Sequence, residues 1–128
     1  MTDLVKLASE YATNAHQRIN HLRKYSKQPY HMHLEAVARL VASVTDDPEV
    51  IAAAWLHDTV EDTSATLDDI EAEFGKPVAD LVEELTDVSK PSDGNRALRK
   101  EIDRKHTAQA SSRAKTVKLA DLIDNCKD

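Results

Sequence analysis

Apolar residues recur every three or four positions along most of the chain, the period of helices that bury one face. Leu4, Leu7, Ala8, Tyr11, Ala15 and Ile19 mark a first helix, with Thr2 as its cap and an end before Arg23. Positions 23–33 read as a polar loop, with Pro29 forcing an extended approach at Gln28. A second helix is predicted from about His33 to Val44, with Val37, Leu40, Val41 and Val44 as its stripe. Asp47 and Pro48 suit the N-cap and first residue of a third helix running through EVIAAAWLHDTV. Thr66 and Asp69 have capping-box spacing ahead of Leu67, Ile70 and Phe74, and Gly75 is a natural stop. Pro77 opens a helix with Val78, Leu81, Val82 and Leu85 on one face, and positions 89–95 form a loop. Arg96 to about Gln109 is expected to be a mostly polar helix anchored by Leu98 and Ile102. A last helix, from about Ser112, contains KTVKLADLIDN. No segment keeps the two-residue alternation of a strand. The pattern predicts an all-α chain of about six to seven helices.

Composition agrees. The chain has 128 residues, which suits a single domain over 1–128. Aromatics are 4% of the sequence, so the core must come from Leu, Ile, Val and Ala, and 2 glycines with 4 prolines are too few for a many-turned β fold. No apolar run approaches the roughly 18–20 residues of a membrane span, and the N-terminus lacks the pattern of a cleavable signal. The lone Cys126 fits a reducing, cytoplasmic setting. The net charge of −6 conceals a split: no acidic residue lies between Glu10 and Glu35, whereas only Lys76 and Lys90 offset 15 carboxylates from Asp46 to Asp93. Opposed solvated helix faces would explain this split. So would a cationic wall facing an acidic site, suited to a small polyanion. The overall acidity argues against a nucleic-acid binder.

One stretch conflicts with its own pattern. Within AAAWLHDTVEDT, Ala52, Ala53, Trp55 and Leu56 suit a buried helix, yet His57, Asp58, Glu61 and Asp62 follow at once. Unpaired buried charge costs several kcal/mol, and a metal ion would turn these groups into ligands. His33 at the start of one helix and Asp121 within another offer the remaining donors, and three helices could bring them to one point. Two imidazoles and two carboxylates leave Mn²⁺, Fe²⁺ and Zn²⁺ open.

Together, PYHMH, LHDTVEDT and TVKLADLIDN resemble the HD phosphohydrolase superfamily. More narrowly, the HDTVEDT string and the RKYS…PY loop are similar to the hydrolase domain of the RelA/SpoT family and its small free-standing relatives. The likeness runs from about His16 to Asn125. It implies a compact helical HD-domain fold and Mn²⁺-dependent hydrolysis of guanosine 3′,5′-bis(diphosphate), ppGpp, to GDP and pyrophosphate. Under that resemblance His33, His57, Asp58 and Asp121 are the metal ligands, and Glu61 and Asp62 activate or deliver the attacking water. Arg23 and Lys24 meet the substrate phosphates, and Asn125 contacts substrate. The partner implied is a small polyphosphorylated nucleotide, with no nucleic acid and no membrane, and a homo-oligomer is compatible.

The chain departs from the family in having Leu34 where Pro is usual after the first ligand His. It also ends at Asp128, where family domains continue through further helices, which leaves open a minimal domain or a C-terminally shortened one. Two rival readings are an HD phosphohydrolase acting on another nucleotide and a non-catalytic metal-binding HD module. His16, His21, His31 and His106 are expected to be surface or packing residues, Trp55 and Tyr30 packing groups, and Cys126 inert.

Overall fold

The structure is a computed structural model that describes residues 2–19, 29–63, 65–86 and 89–125, with the side chains at 2, 3, 91 and 125 excepted. Every regular element among them is helical: α1 (Thr2–Arg18), α2 (His31–Ala42), α3 (Pro48–Leu56), α4 (Thr59–Asp62), α5 (Leu67–Phe74), α6 (Lys76–Leu85), a 3₁₀ turn (Pro91–Asp93), α7 (Arg96–Ala108) and α8 (Ser112–Asn125).

α3 is the hub and packs against α1, α2, α6 and α8. Its sequence explains why. Ala52, Ala53 and Ala54 are fully buried, and their short side chains let neighbouring helices approach closely on several sides. Val50 and Leu56 fill the space at either end. Around this hub, Ala8 and Ala12 of α1, Leu34, Val37 and Val41 of α2, Val78, Leu81 and Val82 of α6, and Ala114 and Val117 of α8 complete one aliphatic core. Tyr11 and Phe74 meet edge to face at its rim, with centroids 5.5 Å apart.

The caps lie where the sequence predicts them. The Asp47 side chain accepts from the Glu49 N–H at 3.0 Å, with Pro48 next to it. Thr66 and Asp69 exchange a reciprocal pair of 3.1 Å bonds. Gly75 joins α5 to α6 at φ +93°, a backbone conformation that costs an L side chain energy.

Four expectations need correction. The third helix does not run through His57 and Asp58: it stops at Leu56, and a single turn restarts at Thr59. This break sets off the 4-residue α4 as a turn of its own, so that eight α-helices are counted among the described residues; the all-α fold of about six to seven helices holds, with α4 as the added turn. The α1 face is rotated, with Ala12 and His16 buried while Leu7 and Ile19 are about half exposed. The second helix stops at Ala42, so Val44 lies past its end and is 71% exposed, and on α7 Leu98 is 56% exposed and no residue is buried. Sequence periodicity counts apolar residues but does not say which of them lie past the edge of the core. Finally, α2 begins at His31, two residues before the expected start, while α1 ends at Arg18, before Arg23 as expected.

The start of α8 is fixed on both sides. Arg113 donates to Asp47 at 2.9 Å and to Glu49 at 2.7 Å, tying α8 to the beginning of α3. Ser111 gives its N–H and hydroxyl to Glu84 of α6, at 2.7 and 3.1 Å. These clamps set the register at which the later turns of α8 meet α2 and α3.

Candidate metal centre

One helix start, one helix joint and one helix face build the site. His33 lies in the first turn of α2, its ring pointing inward and 1% exposed. His57 and Asp58 occupy the joint between α3 and α4, as the last cap of one and the first of the other. In a continuous helix, adjacent side chains point about 100° apart. The changed backbone at Asp58, φ −99° and ψ −4°, ends the helix there. From α8, Asp121 enters on the stripe that also buries Val117 and Ala120.

These side chains converge. One carboxylate oxygen of Asp121 stands 2.8 Å from Nε2 of His33 and 3.0 Å from Nε2 of His57. An oxygen of Asp58 is 3.1 Å from His57 Nε2 and 3.8 Å from His33 Nε2. One donor atom from each of His33, His57, Asp58 and Asp121 lies within 4.8 Å of the others. A six-coordinate divalent ion with ligand distances of about 2.1 Å separates opposite ligands by roughly 4.2 Å, so the cluster matches such an ion in size.

The chemistry of the donors also fits. Nδ1 of His57 is 2.6 Å from the Ala54 carbonyl, which can only accept, so Nδ1 carries hydrogen. Nδ1 of His33 is 2.7 Å from a carboxylate oxygen of Asp124. In both neutral imidazoles Nε2 is then the bare nitrogen facing the centre, the arrangement a metal-ligating histidine needs. Tyr30 OH donates to the Asp58 carboxylate. Burial and then the Asp58 charge push this phenol far above its usual range, so it remains a donor.

Without an ion, protons perform the neutralisation. Burial opposes charge on His57, but Asp58 and Asp121 outweigh it and hold the imidazole well above the ordinary histidine range. His33 is raised too, its burial overcome by hydrogen bonds to Asp121 and Asp124. Burial disfavours ionised Asp58 and Asp121, yet His57 depresses the first and both histidines hold the second far below the usual carboxylate range. A cation entering here displaces protons from imidazole, so its affinity must rise with pH.

Of the other expected site residues, Glu61 and Asp62 lie on α4, exposed, one turn beyond His57. Asp62 is near enough for its charge to act on Tyr30. Arg23, Lys24 and the side chain of Asn125 lie outside the described residues, although the backbone of Asn125 continues α8 one turn beyond Asp121.

Three residues at the site were not singled out by sequence reasoning. Asp124 holds His33. Tyr30, expected only to pack, reaches Asp58. His16, 1% exposed, stacks on Tyr30 with centroids 4.9 Å apart. Spacing carried part of the signal: His16 follows Ala8 and Ala12 at intervals of four, and Asp124 follows Asp121 at three, so both lie on buried stripes.

Residues 8–127 match the HD domain family. The chain belongs to the HD domain family. Among the HD-domain proteins it resembles is the guanosine-3′,5′-bis(diphosphate) 3′-pyrophosphohydrolase MESH1 of Xenopus tropicalis, 38% identical over 128 residues, covering 98% of this chain and 69% of the relative. The human MESH1 is 39% identical over 124 residues, covering 94% of this chain and 66% of its own length. A solved structure of a metazoan ortholog of SpoT that hydrolyses ppGpp superposes with a TM-score of 0.85 at 35% identity, over 98% of this chain and 69% of the other. This HD domain thus spans about two thirds of the length of these relatives.

Proposed function

We propose that this HD domain is a metal-dependent phosphohydrolase that cleaves the 3′-pyrophosphate from ppGpp, giving GDP and pyrophosphate. The observation that supports it most is the convergence of His33, His57, Asp58 and Asp121 from α2, the α3–α4 joint and α8, in a chain similar along nearly its whole length to proteins named for that reaction. In this reading residues 1–128 form one domain, those four side chains hold Mn²⁺, and the ligand is a small polyphosphorylated nucleotide.

A divalent ion here would lower the pKa of a water molecule toward neutrality and stabilise charge on the phosphoryl oxygens. The chain's residues supply the rest. Ala54 and Asp124 fix the imidazole orientations, and Tyr30 steadies Asp58. Glu61 or Asp62, on the turn that follows, takes the proton of the attacking water. The water oxygen joins the phosphorus carried on the ribose 3′ oxygen, that P–O bond breaks, and the 3′ oxygen leaves with a proton. Arg23 and Lys24 hold the phosphates, since a guanidinium can contact a phosphate bidentately, and Asn125 contacts the substrate one turn past Asp121.

No helix among the described residues is long and apolar enough to cross a membrane. A cytoplasmic setting belongs to the same reading, and the single cysteine suits its reducing conditions. Neither nucleic acid nor a lipid surface has a part in this chemistry, and a homo-oligomer is compatible with it.

The test is release of GDP and pyrophosphate from ppGpp with Mn²⁺, comparing wild type with Glu61→Ala and running nucleoside monophosphates in parallel. The expected result is turnover of ppGpp alone, lowered about 10²–10⁴-fold by Glu61→Ala, the usual contribution of an acid–base group. Preference for a monophosphate, or metal binding without product, overturns it.

A further inference from the structure

We infer that Asp124 is a positioning residue for His33, and that through this histidine it sets the affinity of the centre for its divalent ion. The inference rests on the reading that His33, His57, Asp58 and Asp121 hold that ion.

The two histidines face the same problem and solve it differently. A ligating imidazole must carry hydrogen on one nitrogen and offer the other, and something must hold the hydrogen-bearing side. His57 follows a full turn of helix, and the Ala54 carbonyl three residues back accepts from its Nδ1 at 2.6 Å. His33 has no such turn behind it. It is the third residue of α2, and the Tyr30 carbonyl three residues back already accepts the backbone N–H of His33 at 2.9 Å. The acceptor comes instead from a segment 91 residues away in sequence: Asp124, 2.7 Å from His33 Nδ1.

The position of Asp124 on α8 strengthens this. Residues 117, 120, 121 and 124 form the inward stripe of the helix, the spacing apolar residues occupy in a core. Val117 and Ala120 follow that rule, but the other two positions are aspartates, 8% and 5% exposed. A carboxylate in such a slot costs several kcal/mol unless it is paired, and His33 Nδ1 pairs with it at 2.7 Å. α8 therefore grips one imidazole at both nitrogens, Asp121 at Nε2 and Asp124 at Nδ1. Asp124 selects the Nδ1–H tautomer, holds the ring plane, and makes Nε2 a stronger donor to a cation. Asp124 bonds Nδ1 of His33 and is not among the four clustered donors, so in this inference its effect on the ion passes through His33.

The test is a calorimetric Mn²⁺ titration of wild type, Asp124→Asn and Asp124→Leu. A companion measurement is the imidazole ¹H–¹⁵N spectrum of wild type and of Asp124→Asn, each loaded with diamagnetic Zn²⁺, in which loss of the charged partner should move the His33 shifts. Removing an outer partner of a metal-bound histidine costs about 10–100-fold in affinity, which is the loss expected for Asp124→Leu. Asn keeps an acceptor oxygen of the same shape without the charge, so Asp124→Asn should recover most of the affinity. In the spectrum His33 should show a protonated Nδ1 and an Nε2 displaced by metal. A merely structural role would alter the melting temperature and leave these shifts as they are. Wild-type affinity in Asp124→Leu, or His33 bound through Nδ1, overturns the inference and leaves the metal centre standing. The spectrum decides the matter even if the leucine variant does not fold. A wild-type protein that binds neither ion overturns both readings.

Discussion

α3 and α7 are the extremes of this molecule. α3 is nine residues long, nearly uncharged after its first turn, and buried along most of its length; α7 is thirteen residues long and buries none of them. α3 ends at the imidazole and carboxylate of the candidate metal centre. α7 is attached mainly through polar contacts: Asp103 accepts from the Ser89 N–H and hydroxyl at 2.9 and 2.7 Å, and His106 Nε2 is 3.2 Å from the Glu83 carbonyl. The difference shows where rigidity is invested. Bringing donor atoms within a few tenths of an ångström requires a mount fixed from several sides, and close packing of alanines provides it. A helix that only covers one side of α6 can rest on a few hydrogen bonds.

Perturbations at the two helices should therefore differ in size. The largest effect is expected at the end of α3. Asp58→Ala removes a proposed ligand and the acceptor of Tyr30, so turnover of ppGpp should fall by more than about 10²-fold, with a matching loss of Mn²⁺ affinity. An activity assay beside a metal titration checks this, and unchanged values in both would detach α3 from the chemistry. Next is Leu56→Ala, at a fully buried position one residue before the joint. A cavity there should cost about 2–5 kcal/mol in a denaturant titration.

The pH dependence of the metal-free protein comes third. His33 and His57 have raised values in the folded state. Their contribution to stability is complete below the ordinary histidine value of about 6.5 and is lost as pH climbs through the raised ones. Asp58 and Asp121 are lowered. Theirs is complete above about 3.9 and disappears as pH falls through the lowered values. With chelator present, stability should peak between about pH 4 and 6.5 and decline on the alkaline side. Saturating Mn²⁺ should reverse that alkaline decline, adding about 2.7 kcal/mol at a hundredfold excess over Kd. A chelated protein whose stability rises from pH 6 to pH 9 would contradict the charge arrangement.

The smallest effects belong to α7. Asp103→Ala leaves the Ser89 N–H and hydroxyl without their acceptor, at about 1 kcal/mol. Leu98→Ala, at a residue more than half exposed, should stay within about 0.5 kcal/mol. Neither should alter turnover. A loss of several kcal/mol from either would mean that α7 is a core element.

What the chain disclosed before folding follows the same division. The caps at Asp47–Pro48, Thr66–Asp69 and Gly75 were legible because each depends on local backbone chemistry. The α6 stripe was legible because all its apolar positions face the core. His57, Asp58 and Asp121 were marked by their conflict with an apolar setting, whereas His33 was selected over His31 only by the family resemblance. The break at His57–Asp58 was not legible, since nothing in the residue types there forbids a helix. Nor were the roles of Tyr30 and Asp124. Each depends on a partner distant in sequence, Asp58 in one case and His33 in the other, and no local pattern encodes such a pairing. The exposure of Leu98 was hidden for a similar reason, because periodicity cannot show that α7 lies outside the core.

The central claim is that four side chains from three separate regions share one divalent ion. Anomalous diffraction at the manganese edge, from crystals grown with Mn²⁺, tests it directly. The account predicts one strong peak among His33 Nε2, His57 Nε2 and the carboxylates of Asp58 and Asp121, at about 2.1–2.2 Å from each donor. A peak elsewhere, or none there while the protein is saturated with the ion, would contradict it.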